Sequence, residues 1–326
     1  MISLPAIRAV RENYQKSEIT VLAKPSVADL YTREAAINDV IIYNDSRWRT
    51  ARALRARRFH IGILFPNSFD SALVLRLAGI PQIVGYDTDM RRFLLTHPVA
   101  VPAWKGTTHE RFYYLDLLQE ARLIDGYHHA DAPIVLECAT RAAAEGRKLL
   151  ADRGITVPVV GVSPGAAYGS AKKWLPERFA ESAAVLANQC GGSVVLFGST
   201  ADIDECRQVE QALESRSISV ANLAGSTNLR EFIDLTAACS VFLTNDSGSM
   251  HIASALGIPT VAIFGATNPH TTGPAGPHNV IVRERVECSP CLKRECPIDH
   301  RCMTRITAAR VVEAASSLVD LQRAPQ

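Results

Sequence analysis

The stretch that most constrains this chain is residues 241–263, VFLTNDSGSMHIASALGIPTVAI, where an apolar strand-like run passes through a polar loop into a short helix and a second apolar run. Asn245, Asp246 and Ser247 can cap a helix, and Gly248 lets a ligand approach the backbone. Residues 249–256 fit a helix that Gly257 and Pro259 close. A strand feeding a helix N-terminus through such a loop is an anion site in open α/β sheets, because free N–H groups and the helix dipole converge there. Asp246 is a poor ligand for phosphate itself; it can orient the loop or accept hydrogen bonds from sugar hydroxyls. The bland alternative is an ordinary N-cap turn.

The same alternation of strand and helix runs through the rest of the chain. In the first half, apolar runs at 18–23, 40–43, 61–65 and 81–86 alternate with helical stretches near 27–35, 47–58 and 68–78. This pattern implies a mostly parallel sheet. Residues 2–15 read as a helix with Pro5 in its first turn, and no strand precedes it, so this half is expected to lack its first strand. The pattern weakens between 87 and 133, with HPVAVP and GYHHADAP read as loops and 109–122 as a helix. An Ala-rich helix at 140–150 reads as the bridge between halves. From 157 the alternation restarts: VPVVGVS, helix 176–189, SVVLFG, helix 202–215, ISVANL, helix 228–238 and the strand at 241. The expected division is therefore two α/β domains, 1–150 and 151–326.

Composition narrows the function. With 326 residues, 47% of them hydrophobic and 21% charged, the chain can bury two cores of ordinary size. No apolar run approaches the roughly 20 residues of a transmembrane helix, and residues 1–5 do not read as a secretory signal, so the expected location is cytoplasmic. Cys138, Cys190, Cys206 and Cys239 are scattered singly, as buried cytosolic thiols usually are. A net charge of +2 is too small to argue for nucleic acid. The first half is mildly basic, most densely at Arg47, Arg49, Arg52, Arg55, Arg57 and Arg58, which could touch an anionic membrane surface or acidic substrate groups. A solvated helix face is the simpler explanation of that patch.

A second phosphate-site candidate follows the first strand of the second half, at residues 163–176, SPGAAYGSAKKWLP. Ser163, Gly165, Gly169 and the small residues between them leave N–H groups accessible, Lys172 and Lys173 add positive charge, and Pro176 opens the next helix. Such a segment suits a diphosphate leaving group, whose charge grows as a bond breaks. Loops FGST at 197–200 and LAGST at 223–227 end two further strands, and loops at that end of an open sheet converge on one crevice. No GxGxxG opens either half in a strand-to-helix context, which argues against a nicotinamide enzyme.

SPGAAYGSAKKWLPERFAE, LAGSTNLREF, TNDSGSMHIASALGIPTVAIFGATNP and CSPCLKRECPIDHRCM, with PNSFDSAL and RLAGIPQIVGY, resemble the bacterial ADP-heptose:lipopolysaccharide heptosyltransferases of glycosyltransferase family 9. The likeness spans nearly the whole chain and matches the type II members best. It implies a GT-B fold: two Rossmann-like domains facing a cleft, the second holding ADP-heptose and the first the lipid-linked core acceptor. By the family's motifs, Lys172 contacts the donor diphosphate, Asp246 lies near the donor sugar, and Ser247 and Gly248 form the backbone cradle. His251 falls on the family's histidine in that helix and Thr227 beside adenosine. The implied reaction is an inverting transfer of heptose to the first inner-core heptose, with no cofactor required, at a peripheral contact with the inner membrane. Alternatives within this reading are another family 9 transferase with a different donor or acceptor, and a protein that binds donor without turnover. The family's catalytic base is an aspartate in a GD loop that would fall just ahead of Met1, which leaves the catalytic residue unassigned. Asp70, Asp87 and Asp89 are the candidates if the base lies elsewhere.

The spacing Cys288-x2-Cys291-x4-Cys296-x5-Cys302, with His300 nearby, suits a structural tetrahedral zinc. Reduced thiols packing a loop, or a disulfide pair, are the other readings of these residues.

Overall fold

The computed structural model describes residues 1–128 and 132–323. The chain divides into two units, Met1–Pro133 and Ile134–Gln326.

The first unit opens with helix α1 (Leu4–Asn13), followed by the parallel pair β1 (Thr20–Ala23) and β2 (Asp39–Ile42). Helix α2 (Arg47–Arg57) then leads to β3 (Ile61–Leu64), α3 (Phe69–Ala78), β4 (Gln82–Tyr86) and β5 (His97–Val99). Strands β3, β4 and β5 form a parallel three-stranded sheet. β5 lies within the HPVAVP segment expected to be a loop: three residues with a proline give no readable alternation, and a proline is tolerated there because the strand is at the sheet edge. The helix expected near 27–35 is a 3-10 segment, Pro25–Leu30. Helix α4 (Glu110–Glu120) completes the unit, burying Phe112, Leu115 and Leu118 with Ala6 of α1. Of the GYHHADAP segment, residues 129–131 lie outside the described residues.

The second unit begins before the expected boundary, and its first helix, α5 (Ala139–Asp152), packs inside it rather than bridging. Gly146 makes that packing possible, because a Cβ there would sit 1.9 Å from the carbonyl oxygen of Asp234. The remaining elements are β6 (Val159–Ser163), α6 (Pro176–Cys190), β7 (Ser193–Leu196), α7 (Ile203–Glu214), β8 (Val220–Asn222), α8 (Leu229–Ala237), β9 (Val241–Asn245), α9 (Gly248–Ala255), β10 (Thr260–Phe264), α10 (Pro269–Thr272), β11 (Asn279–Arg283), α11 (Arg301–Thr304) and α12 (Ala308–Arg323). All six strands are parallel, in the order β11-β10-β9-β6-β7-β8. This is the doubly wound arrangement, in which the chain works outward from the centre on one side and then on the other. β6, β7, β9 and β10 are buried along their whole length between helix layers, which is why they read as unbroken apolar runs.

Candidate functional site

β6 and β9 are the neighbouring central strands of the second sheet, where the winding direction reverses and the loops at their carboxyl ends part to leave a crevice. β6 ends on Ser163 and β9 on Asn245. The fully buried Asn245 side chain ties the two loops together: its Nδ2 donates to the Pro164 carbonyl at 2.6 Å, and its Oδ1 accepts the Trp174 N–H at 3.0 Å. Trp174 is itself buried, with its indole N–H donating to the Ile306 carbonyl at 3.2 Å. Both ends of the 165–173 loop are therefore fixed to the end of β9. Its middle rests on a distant segment, where the Ala171 N–H donates to the Arg294 carbonyl at 2.9 Å and the Tyr168 hydroxyl to the Leu292 carbonyl at 2.8 Å. Gly169 fits beneath Arg294 only as glycine, because a Cβ would lie 2.2 Å from the Arg294 carbonyl oxygen.

That scaffold aims Lys172 at Asp246. The Lys172 Nζ donates to Asp246 Oδ2 at 2.5 Å, and the Thr267 hydroxyl donates to the same oxygen at 2.6 Å. The lysine side chain is 13% exposed and the aspartate 5%, so this pair sits largely out of water at the wall of a pocket. The Nζ also lies 4.8 Å from the centroid of the Tyr168 ring, a cation–π contact that helps hold the side chain in place. Lys173 turns away and pairs with Glu205, so of the two lysines only Lys172 faces the pocket.

The pocket has a volume of about 430 Å³. Among its lining residues are Lys172, Asp246, Ser247, Gly248 and His251, which brings five of the eight donor-site residues expected from the sequence to one place. Ser247 is the N-cap residue of α9 but makes no side-chain capping bond to the first turn, which leaves the helix N-terminus open to an anion. The other three candidates do not line the pocket. Ser163 lies behind the wall, donating its hydroxyl to Ser249 at 3.0 Å. Gly165 faces the Asp202 carboxylate, which caps the turn at 199–202. Thr227 is half-buried just ahead of Asn228, the N-cap of α8.

Sequence reasoning passed over Thr267, Asn268 and Tyr168, all of which line this pocket. Thr267 and Asn268 follow β10 in a short polar loop, the same signal that marked the other candidates, whereas Tyr168 is placed by a bond to a residue 124 positions away. In the first unit, Asp70 pairs with Arg47, Asp87 with Arg92, and Asp89 accepts the Phe69 N–H at 2.5 Å.

Among the described residues no three His, Cys, Asp or Glu side chains gather closely enough to hold a metal ion, and Cys288, Cys291, Cys296 and Cys302 are free thiols. Cys302 is buried, and burial, with a further push from Cys288, Cys296 and Cys291, raises its thiol to about 11.

The family model for glycosyltransferase family 9 (heptosyltransferase) matches residues 47–301. The chain belongs to this family. Lipopolysaccharide heptosyltransferase 2 of Salmonella typhimurium is 31% identical to the family 9 chain, covering 98% of it and 94% of the relative. The Escherichia coli protein of the same name shows the same identity and coverage. The solved structure of E. coli ADP-heptose lps heptosyltransferase II superposes with a TM-score of 0.85 at 29% identity, covering 99% of this chain and 96% of that one. A family 9 glycosyltransferase from Veillonella parvula, 20% identical over 98% of this chain and 93% of its own, shares the fold with a TM-score of 0.83. The α/β, GT-B fold class expected from the sequence is the class of these structures.

Proposed function

We propose that this chain is an inverting glycosyltransferase that moves heptose from ADP-L-glycero-β-D-manno-heptose to the first heptose of the lipopolysaccharide inner core. The observation that carries the reading is the buried Lys172–Asp246 pair at the mouth of the α9 N-terminus, in a chain aligned end to end with type II heptosyltransferases. In the transfer, the acceptor hydroxyl oxygen bonds to the anomeric carbon as the bond from that carbon to the diphosphate breaks. The electron pair leaves on the phosphate oxygen and the hydroxyl proton goes to a general base. Lys172 and the open amides of α9 face the growing charge on the diphosphate, and they supply most where the pocket is drier than bulk water. Asp246, held by Thr267, is then left to accept hydrogen bonds from the donor sugar. Ser163 and Gly165 act from behind the wall by shaping the loop, and Thr227 belongs on the adenosine side.

The acceptor is lipid-linked core oligosaccharide, met at the cytoplasmic face of the inner membrane by peripheral contact. Among the described residues no helix is long and apolar enough to cross a membrane.

Calorimetric titration with ADP-heptose and with ADP-glucose, paired with a transfer assay on heptose-terminated core acceptor, tests the reading. Tight ADP-heptose binding with turnover is expected. Preference for another sugar would make the chain a family 9 transferase of different donor, since lysine and helix amides read diphosphate rather than sugar stereochemistry. Binding without turnover would reduce it to a donor-binding protein.

A further inference from the structure

Three segments of the first unit leave the carboxyl ends of parallel strands: the start of α2 after β2, the start of α3 after β3, and the loop 87–93 after β4. Each carries a large apolar side chain into solvent. Trp48 is 72% exposed, Met90 88% and Phe93 72%, while Phe69 is at the edge of exposure and packs its ring 6.0 Å from that of Phe93. The three segments are joined. Arg47, next to Trp48, pairs with Asp70, next to Phe69, and the Phe69 N–H donates to Asp89, next to Met90.

These side chains stand on a braced support rather than a loose tip. Met90 holds a positive φ of 51°, which a long side chain rarely adopts without surrounding restraint, beside Asp89 at 50°, a residue type that takes this conformation more readily. The restraint is Arg91, fully buried, whose guanidinium donates to the carbonyls of Pro66 at 2.5 Å, Tyr86 at 3.0 Å and Ser68 at 3.2 Å. One buried cation thus clamps the loop after β4 to the loop after β3, and the clamp turns Met90 and Phe93 outward.

The basic charge beside them is on α2. Asp70 and Asp87 are neutralised by Arg47 and Arg92, Asp89 accepts the Phe69 N–H, and Asp45 stands exposed ahead of α2; on the helix itself Arg49 and Arg52 have no acidic partner among the described residues. Trp48 and Arg52 are four residues apart and so share a helix face. Separate protruding apolar side chains with uncompensated arginines beside them match an interface of acyl chains beneath anionic headgroups.

We infer that this edge of the first unit docks on an anionic lipid bilayer, with Trp48, Met90 and Phe93 entering the headgroup region and Arg49 and Arg52 meeting its negative charge. The inference deepens the proposed function, which has the acceptor met by peripheral contact with the membrane, by naming the surface that makes the contact; docking requires neither donor nor turnover, so its test can fail while the transfer activity stands.

Trp48 is a built-in reporter, since Trp174 is buried and Trp104 half-buried. The unmodified protein should sediment with phosphatidylglycerol vesicles, its tryptophan emission should shift to the blue, and lipids brominated near the headgroup should quench it. Zwitterionic phosphatidylcholine vesicles should bind at least about tenfold more weakly, given two arginines near the surface. The double variant M90D/F93D, with its fold checked by circular dichroism, should lose about tenfold or more in vesicle binding. No shift and no quenching with the unmodified protein would overturn the inference, as would equal binding to both kinds of vesicle or by the double variant. Concentration-dependent dimerisation without vesicle binding would also overturn it, and would assign the face to a second copy of the chain.

Discussion

Replacing Lys172 by alanine and Asp246 by asparagine should move ADP affinity in opposite directions. The two side chains form one pair, 13% and 5% exposed, with 2.5 Å between Nζ and Oδ2. With Lys172 on the diphosphate as proposed, Lys172→Ala removes a charge-assisted contact worth about 1.5–3 kcal/mol, which is about ten- to a hundredfold in affinity. Asp246→Asn instead frees the lysine from its competing partner and removes a negative charge close to where the diphosphate sits. A unit charge about 6 Å away, at an effective dielectric of about 20 to 80, repels by about 0.7–3 kcal/mol. Salt reduces that figure, so ADP should bind about three- to tenfold more tightly to the variant. Transfer of heptose should nonetheless fall in Asp246→Asn, because the carboxylate is lost from the sugar side. The stability costs are unequal as well. Lys172→Ala strands a buried carboxylate, which in a closed core costs about 3–5 kcal/mol. The hydroxyl of Thr267 and the water-accessible pocket lessen this to about 1–3 kcal/mol. Calorimetry with ADP, urea denaturation and the transfer assay on both single variants and the double variant give the full cycle. The reasoning is refuted if Lys172→Ala leaves ADP affinity unchanged, or if Asp246→Asn weakens ADP as much as Lys172→Ala does.

Asn245→Ala should lower stability by about 2–4 kcal/mol in urea denaturation, because it leaves both the Pro164 carbonyl and the Trp174 N–H buried without their partner; a loss under about 0.5 kcal/mol would mean the loops hold themselves. Burial, reinforced by Glu120, raises the Asp116 carboxyl above its ordinary range, so the folded chain binds that proton more tightly than the unfolded one. The stabilisation tied to that proton is present below the ordinary carboxylate pKa and lost as pH rises through the raised one. Asp116→Asn should therefore raise the urea midpoint at pH 7 and change it little near about pH 4, and an equal change at both would contradict the sign. Iodoacetamide at pH 8 should modify exposed Cys288 and spare Cys302, whose labelling should rise only as the pH approaches about 11; mass mapping of early labelling at Cys302 would show that the 288–302 segment opens.

How much of this was legible in the sequence depends on where each feature draws its information. The second unit's strands announce themselves because both of their faces are buried, so VVGVS and VFLTN are apolar without interruption. Its candidate anion site was legible for a related reason: a strand, a polar loop and a helix start are consecutive in the chain, so TNDSGS carries its own geometry. The pocket's other wall was not. Tyr168 becomes a site residue through Leu292, and Lys172 rather than Lys173 faces Asp246 only because Glu205 claims the second lysine. Neither fact has a local signature.

The first unit was harder to read because its strands are only partly buried. β1, β2 and β3 each expose most of their residues to some degree, and β5 is three residues long with a proline. Partial burial weakens the apolar contrast on which periodicity depends. The arginine at position 91 shows the limit most sharply. In the sequence it is one of several basic residues in a polar stretch, with no more claim to the core than Arg92 beside it. In the fold it is wholly buried and holds the carbonyls of two loops that are 25 and 5 residues away, while Arg92 stays at the surface against Asp87. A buried cation is tolerable only where every donor is met, and the carbonyls that meet these come from loops whose convergence is a property of the sheet. Sequence composition therefore locates the cation but not its partners, and it is the partners that decide whether such a residue stays at the surface or holds two loops together.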